Sequence, residues 1–234
     1  VNRYAIIYAD RVICTSQRQY EILLKYLPEL RSKAVVIYNP PPPLPDMNRM
    51  PSEEPALIYP GGDSYVKGFH AIIEALSKIL KRHKCKVYAI RGRETSCREN
   101  LRLIDLCRRF GDSFIILNRL PHEKYLKLHE NAWGLLFPSM CEEPLPYTIV
   151  ESMLIGTMPI AAGVGGVPEI VRGSPAEEYL FIPGNINELV DKVEGLLSLS
   201  REDILSAGMT LREHALELFN GEEIEDKMAA CLTS

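Results

Sequence analysis

From Ala56 onward the chain repeats one pattern: a short apolar run, a turn, then a stretch with apolar residues at helical spacing. The runs are ALIYP (56–60), KVYAI (86–90), FIIL (114–117), GLLFP (134–138) and MPIAA (158–162). Runs this short, bounded by turns and lacking polar alternation, predict strands buried on both faces. Helical spacing between them predicts helices over Phe69–His83, from about Ser96 to Arg109, over 122–132 and over Tyr147–Ile155. Strands alternating with helices in this way predict a parallel sheet covered on both sides, a doubly wound α/β domain.

The flanking segments read differently. Arg11–Cys14 and Val35–Tyr38 are predicted strands, and Ser16 with Gln19 forms a capping-box signal for a helix through about Leu30. NPPPPLPDMNRMPSEEP (39–55) is too rich in proline for regular structure and reads as a linker between residues 1–38 and the domain beginning at 56. Beyond Ala162, short elements at Glu169–Val171 and 180–182 precede helices predicted over Asn187–Leu199 and Thr210–Leu232. The first residues, VNRYAIIYADRVICTS, lack an initiator Met and a signal-peptide layout, and a fragment or processed product is expected.

Composition excludes several classes. Of 234 residues, 46% are apolar and 25% charged, as in an ordinary globular chain. A net charge of -4 carries no nucleic-acid footprint, and the basic run 78–84 ends a predicted helix, where it complements the dipole. No run of 18 apolar residues is present to cross a membrane. The six cysteines are scattered without a CxxC pair, so free thiols in a reducing, cytoplasmic compartment are expected. The five histidines show no ligand spacing, and no protein-held metal is predicted.

In an open parallel sheet, ligands bind beyond the carboxyl ends of the strands, near helix N-termini. Three loops there carry unusual residues. YPGGDSYVKGF (59–69) sets Gly61 and Gly62 after a strand and Lys67-Gly68 before a helix, a layout suited to a phosphate. Its plainer reading is a turn with a solvated lysine, and the P-loop spacing is absent. CEEPLPYTIVE (141–151) places Pro146 at the first helical position. Free N–H groups are then expected at Tyr147, Thr148 and Ile149. Glu151, one turn inside, can accept from vicinal hydroxyls such as those of a ribose, and Glu143 from those of a sugar. Singly, either acid reads equally as an answer to the helix dipole. Gly163, Gly165 and Gly166 form either a further backbone wall or a tight turn before Pro168.

Together these residues resemble the nucleotide-binding C-terminal domain of the family-4 retaining glycosyltransferases, which have the GT-B fold built of Rossmann-like halves. The resemblance rests on Glu143 and Glu151 in E-x7-E spacing, Gly156, Pro159, the run Gly165-Gly166-Val167-Pro168-Glu169, Lys67-Gly68-Phe69, and NRLPHEKYLKLHENAWGLLFPSMCEE (118–143). It covers roughly residues 4 to 231. It implies that residues 1–38 are the remnant of an N-terminal acceptor-side domain. Residues 56–205 would bind the donor, and 206–234 would be a closing helix packing back.

By that resemblance the chain is mainly the donor-binding half of an enzyme moving a sugar, with retention, from a UDP- or GDP-sugar to an acceptor such as a sugar, lipid or protein glycan. Glu151 holds the ribose, Glu143 the donor sugar, and Lys67 the diphosphate. Backbone groups at Tyr147 and Thr148 meet sugar and phosphate oxygens, and the turn at Arg119 and Leu120 holds the base. No tightly bound cofactor, metal or protein nucleophile is implied, and both acids are expected to face the ligand rather than their neighbours. A separate acceptor-domain partner, and peripheral membrane association through the absent domain, are compatible with it.

Two positions depart from the pattern. Gly62 stands where the family has an arginine on the diphosphate, a difference worth on the order of 1.5–3 kcal/mol. Pro146 stands where it has glycine. Arg91 or Arg93 could substitute for the arginine, or could simply be surface residues. The alternatives are a non-catalytic nucleotide-sugar module or partner subunit, and an epimerase of the same fold.

Overall fold

A computed structural model describes residues 3–92 and 97–233. Helix α1 (Arg3–Tyr8) leads into a two-stranded parallel sheet of β1 (Val12–Cys14) and β2 (Ala34–Val36), joined by α2 (Gln17–Tyr26). The main sheet contains β3 (Ala56–Tyr59), β4 (Lys86–Ile90), β5 (Phe114–Leu117), β6 (Gly134–Phe137), β7 (Met158–Ala162) and β8 (Leu180–Phe181). Its helices are α3 (Phe69–Arg82), α4 (Cys97–Phe110), α5 (His122–Leu128), α6 (Tyr147–Ile155), α7 (Val167–Val171), α8 (Ile186–Leu197), α9 (Arg201–Leu218) and α10 (Gly221–Thr233). Among the described residues no helix is long and apolar enough to cross a membrane.

All described strand pairs are parallel, in the order β5-β4-β3-β6-β7-β8. The fold is therefore the expected doubly wound α/β sheet. Every residue of β3, β6 and β7 is buried, which is why these strands read as unbroken apolar runs. Strand order reverses between β3 and β6, and that switch point opens a crevice at the carboxyl ends.

Boundaries differ from the sequence expectation where local chemistry intervenes. Helix α2 ends at Tyr26, not Leu30: Pro28 disfavours helical geometry at Leu27 (φ -138, ψ 68), and Pro28–Ser32 forms a 3-10 turn. Ser16 accepts from the Gln19 N–H at 3.1 Å, as its capping role requires. The Gln19 side chain accepts from the Thr15 N–H (2.7 Å), one residue short of a closed capping box. Helix α5 stops at Leu128 rather than 132, and the carbonyls of Glu130 and Asn131 accept from Met50 and Ser52 of the linker. The closing helix predicted over Thr210–Leu232 is instead two helices. α9 starts at Ser200 with a full capping box to Asp203, and it breaks at Phe219, a buried ring that packs 5.5 Å from Tyr38.

The linker has no regular structure, as expected, yet it is tied down. Arg49 donates through Nη1 to the carbonyls of His129 (2.9 Å) and Glu130 (3.1 Å) and through Nε to Gly156 (3.3 Å). These carbonyls lie at the C-terminal ends of α5 and α6, where helix dipoles favour a cation. Burial pulls the Arg49 pKa down to about 10. Burial first, and the Arg49 charge second, push His129 down to about 3, so it is neutral. Arg49→Met, which strands these carbonyls, should cost about 3 kcal/mol in chemical denaturation.

Candidate functional site

The loops following β3, β4, β5 and β6 converge at the switch point, over the N-terminus of α6. Pro146 is the N-cap of α6, one position before the helical start expected for it. Its extended backbone (φ -75, ψ 105) turns its carbonyl to accept from Ile149 (2.9 Å) and Val150 (3.3 Å). The Ile149 N–H is thus used, contrary to expectation. The N–H groups of Tyr147 and Thr148 have no acceptor among the described residues, which leaves a positive helix end at the crevice.

Glu151 sits on α6 among residues that are all buried from Ile149 to Ile155. Its side chain is 7% exposed, and Oε1 lies 2.7 Å from Nε2 of His122, at the start of α5. Burial raises the Glu151 pKa, and the hydrogen bond and charge of His122 pull against that shift. A carboxylate held this deep, opposed by one exposed imidazole, is costly for a purely structural role.

A second pair lies next to it. Lys67 Nζ is 2.6 Å from Glu143 Oε1, which also accepts from the Ser139 hydroxyl at 2.9 Å. Two adjoining clefts contain these groups. The larger, about 490 Å³, is lined by Pro60, Ile90, Arg91, Gly92, Arg119, Leu120, His122, Tyr125, Tyr147, Thr148 and Glu151. The smaller, about 120 Å³, is lined by Pro60, Gly61, Lys67, Ser139, Glu143, Thr148 and the end of β6. Pro60 and Thr148 form the wall between them.

Of the residues predicted from sequence, Glu151, Leu120, Tyr147, Thr148, Arg91 and Arg119 line the larger cleft, and Lys67, Glu143 and Gly61 the smaller. Gly62 and Pro146 line neither. Gly62 has φ +64, and a Cβ there would lie 2.9 Å from the Gly92 backbone. An arginine at this position would therefore be strained on this backbone. Arg93 lies outside the described residues.

The Gly165-Gly166 turn is a tight turn docked beneath the acidic loop. Gly165 has φ +55, and a Cβ there would overlap the Glu143 carbonyl oxygen, while the Gly166 N–H donates to that oxygen at 2.9 Å. Gly165→Ala is expected to displace Glu143 and to cost on the order of 1–2 kcal/mol from backbone strain alone. Thermal unfolding would register it. Among the described residues no three His, Cys, Asp or Glu side chains are grouped to hold a metal.

The model of the family Glycosyl transferases group 1 matches residues 44–208, well over half of the chain. The chain belongs to this family. A relative, the "Uncharacterized glycosyltransferase MJ1607" of Methanocaldococcus jannaschii, is 29% identical over 148 residues, 62% of this chain and 36% of that protein. The fold is similar to that of a point mutant of S. aureus TarM in complex with fondaparinux, alpha-GlcNAc-glycerol and UDP (TM-score 0.83, 17% identity, 99% of this chain and 46% of that one). It is also similar to Anabaena HepE in complex with UDP-glucose (TM-score 0.76, 19% identity, 98% and 65%). Sucrose-phosphate synthase of Thermosynechococcus elongatus gives a TM-score of 0.76 at 23% identity (98% and 59%). At these identities the likeness is one of fold. The chain spans roughly a third to two thirds of the length of these proteins.

Sequence reasoning missed several contacts of this group 1 domain. It did not single out His122, the first residue of α5, or Ser139, just after β6, although both fall in the 118–143 stretch that carries the resemblance. It also missed how residues 1–38 meet the site. Both Glu169 oxygens accept from the Gln17 N–H (3.1 and 2.9 Å) at the start of α2. Arg18 pairs with Glu142 at 2.8 Å, and Glu142 accepts from the Gly165 N–H at 3.2 Å. Lys67 pairs with Glu143, and Nε2 of His122 lies 2.7 Å from Glu151 Oε1, contacts to which no local pattern points.

Proposed function

We propose that this chain is the donor-binding half of a retaining glycosyltransferase that transfers a sugar from a UDP- or GDP-sugar. What carries the reading is the pair of adjoining clefts, with Glu151 in one, Lys67 and Glu143 in the other, and the α6 N-terminus between them. A nucleoside fits the larger cleft: base against the Arg119–Leu120 turn, ribose hydroxyls on Glu151. The diphosphate then lies over the N–H groups of Tyr147 and Thr148, with Lys67 as counter-charge. The sugar enters the smaller cleft and donates hydroxyls to Glu143.

The leaving diphosphate is stabilised by an ammonium group and a helix end, with no metal required of the protein. A donor phosphate oxygen assists the acceptor hydroxyl on the same face, so no protein nucleophile is needed. Arg91 adds positive charge from the far wall, in place of the arginine that Gly62 lacks. Residues 1–38 belong to the acceptor-side domain, 39–55 are the linker, 56–205 bind the donor, and 206–234 pack back. HepE in complex with UDP-glucose and TarM with UDP share this fold, which favours a uridine nucleotide.

Calorimetry with UDP, GDP and their sugars tests the reading. One of the nucleotides should bind, and binding of none would overturn it. A second reading, a non-catalytic module acting with a partner protein, is favoured by Gly62 and by the mutual neutralisation of Lys67 and Glu143. Donor hydrolysis or transfer by the chain in its natural length, without a partner, would rule that reading out.

A further inference from the structure

We infer that His122 is a positioning residue for Glu151, fixing the carboxylate so that its second oxygen is presented to the ribose. This rests on the functional reading above and deepens it. The geometry gives the two side chains unequal freedom. Glu151 is 7% exposed and enclosed by a buried helix, whereas the His122 side chain is 56% exposed at the mouth of the same cleft.

The only described hydrogen bond to the Glu151 carboxylate runs from His122 Nε2 to Oε1. Oε1 is therefore occupied and its orientation set, while Oε2, with two lone pairs, remains for the ribose hydroxyls. The His122 ring also stacks on Tyr125, with centroids 6.3 Å apart, so it is held at the rim. Without this donor the carboxylate could rotate within its pocket.

The other titratable or charged groups lining this cleft are Tyr125 from α5, Arg119 from the turn before it, Arg91 after β4, and Tyr147 of α6 itself. Burial pushes the Tyr125 hydroxyl well up, so it stays protonated at neutral pH and donates no charge. Because His122 opposes the upward shift that burial imposes on Glu151, removing it moves the protonation of Glu151 to higher pH.

The test compares UDP and GDP with their 2′-deoxy forms by calorimetry, in wild type, His122→Ala and His122→Gln. The wild type should prefer the ribonucleotide by roughly tenfold or more, the scale of one hydrogen bond to a charged group. His122→Ala should reduce that preference to about twofold or less, and His122→Gln, which keeps an N–H donor, should restore most of it. The acid limb of ribonucleotide binding should also move to higher pH in His122→Ala. If the ribonucleotide binds and all three proteins show the same preference, the inference falls while the reading of the site stands. If neither ribonucleotide binds the wild type, the reading falls and takes the inference with it.

Discussion

Glu151→Ala is expected to lower nucleotide affinity by roughly a hundredfold, since the carboxylate would accept two hydroxyls and bonds to charged groups are worth about 1.5–3 kcal/mol each, not fully additive. The variant should not be less stable at neutral pH, and Glu151→Gln should be more stable. The sign follows from the raised carboxyl pKa, caused first by burial and only partly offset by His122. A group whose folded pKa lies above its unfolded one stabilises the fold when protonated, at low pH. That contribution disappears as pH rises through the folded value. Above the folded value the wild type has lost it, so Glu151→Gln should unfold at a higher temperature there, with the difference shrinking as pH falls back toward the ordinary carboxylate range. Binding by calorimetry and melting temperature from one preparation separate the two effects. Lost binding with raised stability marks a ligand group, whereas unchanged binding with lower stability marks a structural ion pair.

This opposition between burial and function also explains what could be read from sequence. β3, β6 and β7 are buried on both faces, so their residues had to be apolar and their boundaries stood out. α6 was equally clear, because Gly156 follows it in a left-handed C-cap (φ 89) and Pro146 precedes it. Where tertiary contacts set the ends, local pattern was insufficient: α5 stops where the linker takes up Glu130 and Asn131, and nothing near residue 129 announces residue 50. Glu151 and Glu143 were legible through their E-x7-E spacing together with Lys67, Gly156 and the Gly165-Gly166 run, since either acid alone reads as an answer to the helix dipole. His122 was not, because an exposed histidine at a helix start is unremarkable until the fold brings it 2.7 Å from an acid 29 residues away. Likewise Arg18 reaches Glu142 across 124 positions, a contact to which no local signal points. Gly165 gives the converse case: its spacing left a ligand wall and a tight turn both open, and its missing Cβ, which makes room for the Glu143 carbonyl, decides for the turn.

Lys67→Met should weaken UDP binding by roughly ten- to a hundredfold while leaving UMP nearly unaffected, because the ammonium is expected to meet the terminal phosphate through a charge-assisted bond. Lys67 now faces Glu143 at 2.6 Å, with the two side chains 38% and 23% exposed. A pair this accessible to solvent contributes little, so a diphosphate carrying more than one negative charge can draw the lysine away at small cost. Glu143 does not then stand alone, since Ser139 continues to hold Oε1 and the docked Gly165-Gly166 turn fixes its backbone. On the proposed function, the released carboxylate would then accept from sugar hydroxyls. The proposed function thus predicts that donor binding divides this pair between phosphate and sugar. Transfer should fall further than affinity, by about 10²–10³-fold, since charge on the leaving diphosphate grows toward the transition state. Glu143→Gln should weaken UDP-sugar more than UDP, the reverse of Lys67→Met. Equal losses for UMP and UDP on removing Lys67 would place the lysine away from the terminal phosphate, and no loss for either would reduce it to a surface partner of Glu143.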